Sequence, residues 1–299
     1  MTKKIRLIIV ISLPFLMFIY CNRFKDHEST KGKNSVSVRD TVIQDVDFVY
    51  VASGVFLRGL DCRPETIPYN YWIGRYEVTN RQFYRFLVVA MAEGSIKLND
   101  SILTYQYDGD SIVSNDSYHV KVLDDRIYIE NDSLKLNEEF GDHPVISVTW
   151  YGAQAFCSHF GFQLPNEGEW EKAARGANCL RYPWGNQIDS SYANYYNSGD
   201  PYEPNTTPVG FYDGSNHSGF QTNDANSIYG CYDMSGNAWE WTSDFWSKEI
   251  PFHRGKGGGF HYHTMAHLQI YYVSLFGPGT QPPLDMCDRP DGFRVILKP

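Results

Sequence analysis

The chain has 299 residues, of which 42% are hydrophobic and 16% aromatic, and its formal net charge is −9. That is enough apolar material for one large domain or two small ones, and it excludes a wholly disordered chain. Eleven acidic against four basic side chains in residues 92–140 carry most of the imbalance. No basic stripe is present to meet phosphates, which excludes nucleic acid as a partner.

The first residues read as an export signal. Lys3, Lys4 and Arg6 precede an apolar run, Leu7 to Tyr20, broken only by Ser12 and Pro14. The run is shorter than the ~20 residues of a membrane span. It stops at Cys21, so residues 1–21 are expected to be a lipoprotein-type signal peptide with Cys21 as the lipidated residue. An uncleaved membrane anchor is the alternative. Either reading places the chain outside the cytoplasm, tethered to a bacterial cell-envelope membrane on its periplasmic side or at the cell surface. Residues 22–46 are polar and of mixed charge, which suits a flexible tether.

The domain is expected over residues 47–299. Phe48–Val51 and Gly54–Leu57 predict a short hairpin around Ala52 and Ser53, and Tyr71–Ile73 predicts a further strand. Thr79 with Gln82 forms a capping-box signal, and Phe83, Phe86, Leu87 and Ala90 follow at helical spacing. Residues 92–140 read as an acidic insertion of one or two surface hairpins; Asp108 and Asp110 within it read as a solvated turn, because the remaining ligands of a calcium loop do not follow. Thr149 caps a second helix, Trp150 to Phe160, with Gly161 as its left-handed stop. Asn166 and Glu169 open a third, closed by Gly176 after Arg175. Residues 181–250 are rich in turn formers, and Gly292 to Leu297 predicts a closing strand. Cys62, Cys157, Cys179, Cys231 and Cys287 have no zinc-module spacing. One or two disulfides can form in an oxidising compartment, with the pairing left open.

Six stretches carry a resemblance. In order they are Ile73 to Asn80 with Gln82 and Phe83, His143 to Trp150 with Ala153 to Cys157, Leu164 to Gly176, Tyr182 to Asn186, Tyr229 to Trp241 with Asp244, and Gly292 to Val295. Together they resemble the formylglycine-generating-enzyme, or sulfatase-modifying-factor, family. The resemblance implies an α+β fold like a C-type-lectin core, low in regular structure, with two to three helices against a small distorted antiparallel sheet. It further implies structural calcium held by Asp233, the carbonyls of Gly236 and Ala238, and Glu240, a hard, oxygen-only set. A second such set would use Asn194 and the carbonyl of Tyr195, with Asp200 loosely placed.

Active members of that family oxidise a cysteine of a sulfatase with molecular oxygen and a copper(I) ion held by two thiolates. The pair follows a Gly-Gly-Ser-type turn. Here the turn is Gly257 to Gly259, and the matching positions are Tyr262 and His267; the arginines that follow the second cysteine are also missing from Leu268 to Tyr272. Soft thiolates suit copper(I), so their loss argues against the known chemistry. His253, His261, His263 and His267 crowd the same stretch. If 260–267 is a strand, His261, His263 and His267 share one face, which suits copper, zinc or iron; a metal-free polar surface is the plainer reading.

Three functional readings follow. The first is a membrane-anchored, non-catalytic binding or scaffold component of the cell envelope. It would take an extended peptide, a protein or a glycan in an aromatic cleft, and fold and anchor point by analogy to motility or secretion machinery. The alternative is a divergent formylglycine-generating or other metal-dependent oxidase that uses the histidines as catalytic ligands. A lectin is a third reading, without a recognisable sugar-binding calcium set.

Overall fold

A computed structural model describes residues 45–99, 102–105, 118–245, 253–276 and 291–299. The chain separates into Met1–Val36 and Ser37–Pro299, and the architecture below is that of the second unit. The expected signal with Cys21, most of the tether, Asp108, Asp110 and Cys287 lie outside the described residues. Among the described residues no helix is long and apolar enough to cross a membrane.

The unit opens with four short strands: β1 (Phe48–Val51), β2 (Gly54–Arg58), β3 (Arg63–Ile67) and β4 (Tyr71–Gly74). Helix α1 (Asn80–Ala92) follows, capped by Thr79 in a complete box with Gln82. Then come β5 (Ile96–Asn99), β6 (Ile102–Tyr105), β7 (Tyr118–Val122), β8 (Ile127–Glu130) and β9 (Ser133–Leu136). Helix α2 (Trp150–Phe160) ends on Gly161 at φ 79°, and α3 (Glu167–Arg175) starts at a second complete box, Asn166 with Glu169. The remainder holds β10 (Asn216–His217), β11 (Phe220–Gln221), β12 (Trp239–Phe245), β13 (His253–Lys256), β14 (Ser274–Phe276), β15 (Asp291–Gly292) and β16 (Ile296–Leu297). The largest sheet runs β14-β13-β12-β15, and β1-β4-β16 forms a second. The expected α+β architecture is present.

Three local expectations are corrected. Strands β1 and β2 do not pair with each other. β1 lies antiparallel to β4, with Val49 opposite Ile73, and β2 pairs with β3. The two residues between them therefore serve as a crossing, not a hairpin turn. The closing stretch is not one strand: Asp291 and Gly292 run parallel to Trp239 and Glu240, whereas Ile296 and Leu297 pair with β4. Phe293, Arg294 and Val295 break the ladder between the two sheets and are buried there. Finally, the insertion is not confined to the surface. Ile96, Leu103 and Ile127 sit in the main core with Phe83, Phe86, Leu87 and Phe156, and α1 packs against β5 and β9. Arg126 is buried too, over the Phe140 ring and beside Asp124 and Asp125.

Asp45 and Val46, placed in the tether by sequence, dock on the domain. The Asp45 carboxylate pairs with Arg85, and its carbonyl accepts from Gln82 Nε2 at 3.0 Å. Cys62 and Cys179 form a disulfide, and Cys157 and Cys231 are buried free thiols.

Candidate functional site

Two loops without a continuous ladder build the site. The segment from Tyr229 to Ala238 satisfies its backbone mostly through side chains, as irregular buried chain must. Glu77 accepts from the Ala238 N–H at 3.0 Å and from Asn237 Nδ2 at 2.9 Å. The Asn237 side-chain oxygen accepts from the Thr207 N–H, and Asp233 accepts from the Gly210 N–H at 2.6 Å. Gly236, at φ 92°, passes so close to the Asn194 carbonyl that a Cβ would collide with it.

The second loop is fastened to the first. The Gly257 carbonyl accepts from Gly236 N–H at 2.8 Å, the Phe260 N–H donates to Asn237 O at 3.0 Å, and Ser235 Oγ donates to Leu268 O at 2.7 Å. Gly258 (φ 80°) has no room for a side chain against Leu268 and the His267 carbonyl. Residues 260–267 are not a strand. Tyr262 N–H bonds back to Gly259 O and His267 N–H to Thr264 O, and Met265–Leu268 coil into a 3₁₀ turn. Short-range turns of this kind consume the donors a strand would share. His261, His263 and His267 therefore do not line one pleated face.

Aromatic packing replaces that face. The Tyr262 and His267 rings meet edge to face with centroids 4.7 Å apart, and His267 meets Tyr272 at 4.6 Å. Trp239, nearly fully buried, packs beneath Tyr262 at 5.4 Å and Tyr272 at 6.0 Å. His261 leans on Tyr262 (4.4 Å), and exposed His263 lies against Tyr196 (3.7 Å). Burial pushes the His267 pKa down, so its imidazole is neutral at pH 7. The outcome is a partly exposed aromatic surface on a buried indole floor, which suits apolar, planar or sugar-like groups. Among the described residues no three His, Cys, Asp or Glu side chains are grouped to hold a metal ion.

Beneath this surface lies a buried charge cluster. Glu240 makes a two-point contact with Arg294 and accepts from Trp170 Nε1 at 2.8 Å. Burial, then Asp233 and Glu240, push the Glu77 carboxyl well above the ordinary range, against the pull of Arg294. Burial also lifts Asp233 to about 6. Glu77, Asp233 and Glu240 thus outnumber the one guanidinium among them. The donors expected for calcium, Asp233, Glu240 and the carbonyls of Gly236 and Ala238, are the hard oxygen type such a cation takes, and the cluster has the negative charge for it, but both Glu240 oxygens are engaged by Arg294. The second expected set is engaged locally as well. Asn194 donates to Asn205 O, and Asp200 is tied within its own turn to Ser198 and Tyr202.

Sequence reasoning passed over Glu77, Trp239, Tyr272 and Arg294 as site residues. A signal existed for two of them: a carboxylate between Tyr76 and Val78, and a guanidinium between Phe293 and Val295, are charges set in apolar surroundings and need a partner.

The comparisons with known proteins agree with this architecture. Residues 33–297 match the family model of the sulfatase-modifying factor enzyme 1-like domain. The bovine formylglycine-generating enzyme is 41% identical over 109 residues, 36% of this chain and 28% of that protein. A bovine inactive C-alpha-formylglycine-generating enzyme 2 is 38% identical over 103 residues, 34% of this chain and 33% of its own length. The serine/threonine-protein kinase Pkn1 of Chlamydia trachomatis is 32% identical over 212 residues; these are 68% of this chain and 29% of that protein, so the chain spans under a third of that relative. The solved structure of CarF superposes with a TM-score of 0.54 at 19% identity, covering 85% of this chain and 98% of CarF, which shows a shared fold.

Proposed function

The chain belongs to the sulfatase-modifying factor family, and from that premise we propose that it is a non-catalytic binding component of the cell envelope. One observation carries this reading: the rings of Tyr262 and His267 pack on each other and on Tyr272 above Trp239. The sequence resemblance matches these two positions to the copper-binding cysteines of active members. That arrangement offers contact area where active members offer a metal. The ligand we assign to it is an extended peptide, a protein segment or a glycan. A family that includes a protein described as inactive makes the loss of chemistry unexceptional.

Attachment to a membrane through Cys21, and export by residues 1–21, are part of the proposal. The positively charged start and the apolar run ending at Cys21 support them. Calcium at Asp233, Glu240 and the Gly236 and Ala238 carbonyls is a further part, supported by the excess of buried carboxylates over guanidinium. It would supply charge neutralisation and hold the loop shut.

The test is direct. The purified chain is reconstituted with copper(I) under oxygen and given a sulfatase-type cysteine peptide, which is followed by mass spectrometry. Unchanged peptide and no bound copper are expected. Aldehyde formation that disappears in His263→Ala or His261→Ala would establish the competing oxidase with a histidine ligand set.

A further inference from the structure

Away from the aromatic surface, a cavity of about 470 Å³ opens between the β2–β3 turn, the end of α3 and residues 179–187. Leu60, Leu180 and Tyr271 supply apolar wall, and the Cys62–Cys179 disulfide closes one side. The polar lining is two guanidiniums, Arg175 and Arg181, and two amides, Asn186 and Gln187; no carboxylate lines it.

The charges are not cancelled locally. The buried cations Arg175 and Lys256 face Glu171, and Glu167, which also attracts Lys256, pairs with Arg58, itself paired with Glu65; Arg181 is the cation left over. Arg175 Nη1 and Nη2 are spent on the carbonyls of Leu180 and Gly59, and its buried Nε has no acceptor. Arg181 is exposed and makes no ion pair among the described residues. Its backbone is nevertheless fixed: the N–H donates to Asn186 Oδ1 at 3.0 Å and the carbonyl accepts from Ile270 N–H at 2.8 Å. Because Asn186 uses its oxygen there, its NH₂ group is left to donate outward. Two residues upstream the disulfide at Cys179 anchors the same segment.

We propose that this cavity binds a small organic carboxylate, at a site separate from the aromatic surface. A planar guanidinium fork on a fixed backbone matches a carboxylate in two-point geometry, and the Asn186 amide adds a neutral donor. The local surplus of about one positive charge suits a singly charged anion better than a phosphate dianion. The volume lies within the ~300–1,000 Å³ of small-molecule sites, and the apolar walls take the carbon body. A sugar acid and the carboxyl end of an amino acid share this chemistry.

The experiment is calorimetric titration of the full chain with sodium glucuronate and, separately, with N-acetylalanine, alongside glucuronamide and N-acetylalaninamide. One carboxylate is expected to bind with 1:1 stoichiometry and its amide at least tenfold more weakly; which one binds identifies the source. Arg181→Gln is expected to weaken binding about tenfold, and Arg181→Lys is not expected to restore it. Arg181 is exposed, so both variants should keep the parent melting temperature. The proposal is overturned if neither carboxylate binds, if the amides bind equally well, or if Arg181→Gln binds like the parent.

Discussion

Arg294 and Glu240, 54 residues apart, meet in a two-point pair at 2.6 Å for each contact, and neither side chain is exposed. Arg294 also donates to the carbonyls of Gly74 and Tyr232, so one guanidinium ties β4, the 229–238 loop and β12 together. Removing one partner leaves the other charge buried alone, at a cost of roughly 3–5 kcal/mol. Arg294→Ala and Glu240→Ala should each lower the urea midpoint accordingly, and Arg294→Lys should recover only part, because an ammonium lacks the fork. A loss below about 1 kcal/mol in either alanine variant would remove the pair from its central role.

How much of this could be read in advance depends on range. The starts of the three helices were legible to the residue because their signals are local: Thr79 with Gln82 and Asn166 with Glu169 act within one turn. Strand partners were not, since β1 finds β4 only through the buried faces of Val49 and Ile73. The glycine turn that singles out Tyr262 and His267 is present in the fold, with Gly257 and Gly258 at positive φ. The surroundings of these two residues were not legible, because alternating histidines suggest a pleat whereas the backbone spends its donors on Gly259 and Thr264. The insertion misled for a related reason: several of its charges, such as Asp125, Glu130 and Glu138, are exposed, and three aliphatic residues among them, Ile96, Leu103 and Ile127, join the core beneath α1.

If Tyr262 and His267 stand where active members hold thiolates, cysteines placed there should converge. The double variant Tyr262→Cys with His267→Cys is expected to bind one copper(I) ion, measured by competition with a chromogenic chelator. Neither single variant should do so, since soft two-coordinate binding needs both sulfurs. Absence of binding in the double variant would break the positional correspondence on which the functional reading stands.

The Cys62–Cys179 disulfide spans 117 residues of sequence. Loop-closure entropy for so long a span corresponds to about 4–5 kcal/mol. Cys62→Ser with Cys179→Ser should therefore lower the melting temperature by roughly 10 °C. Cys157 and Cys231 are fully buried, and burial raises both thiols, that of Cys231 to about 11. They should react with thiol reagents only on unfolding. Rapid labelling of either in the native protein would contradict the packing of α2 and the 229–238 loop.

The pH dependence of stability should separate two buried groups of opposite sign. Asp233 titrates at about 6 in the fold against 3.8 unfolded, so its contribution is fully present below pH 3.8 and is lost as pH rises through 6, by about 3 kcal/mol for such a shift. Glu77 acts in the same direction. His143, buried beside Thr206 Oγ1, is pushed down from 6.5 to about 4, so its contribution is present above pH 6.5 and lost as pH falls through 4. Between pH 4 and 6.5 the carboxylate and histidine slopes oppose. Relative to the parent, Asp233→Asn should lose stability on acidification across that window, because only Glu77 is left to oppose the His143 slope, whereas His143→Gln should gain it. Calcium supplies the decisive arm. A cation bound through the ionised Asp233 stabilises by mass action, about 2.7 kcal/mol at a hundred times its dissociation constant, and does so more at pH 7 than at pH 5. The parent melting temperature should rise with millimolar calcium at pH 7 and that of Asp233→Asn should not. An equal rise in both would move the cation elsewhere, and no rise in the parent would leave Arg294 and bound protons as the counter-charges of this cluster.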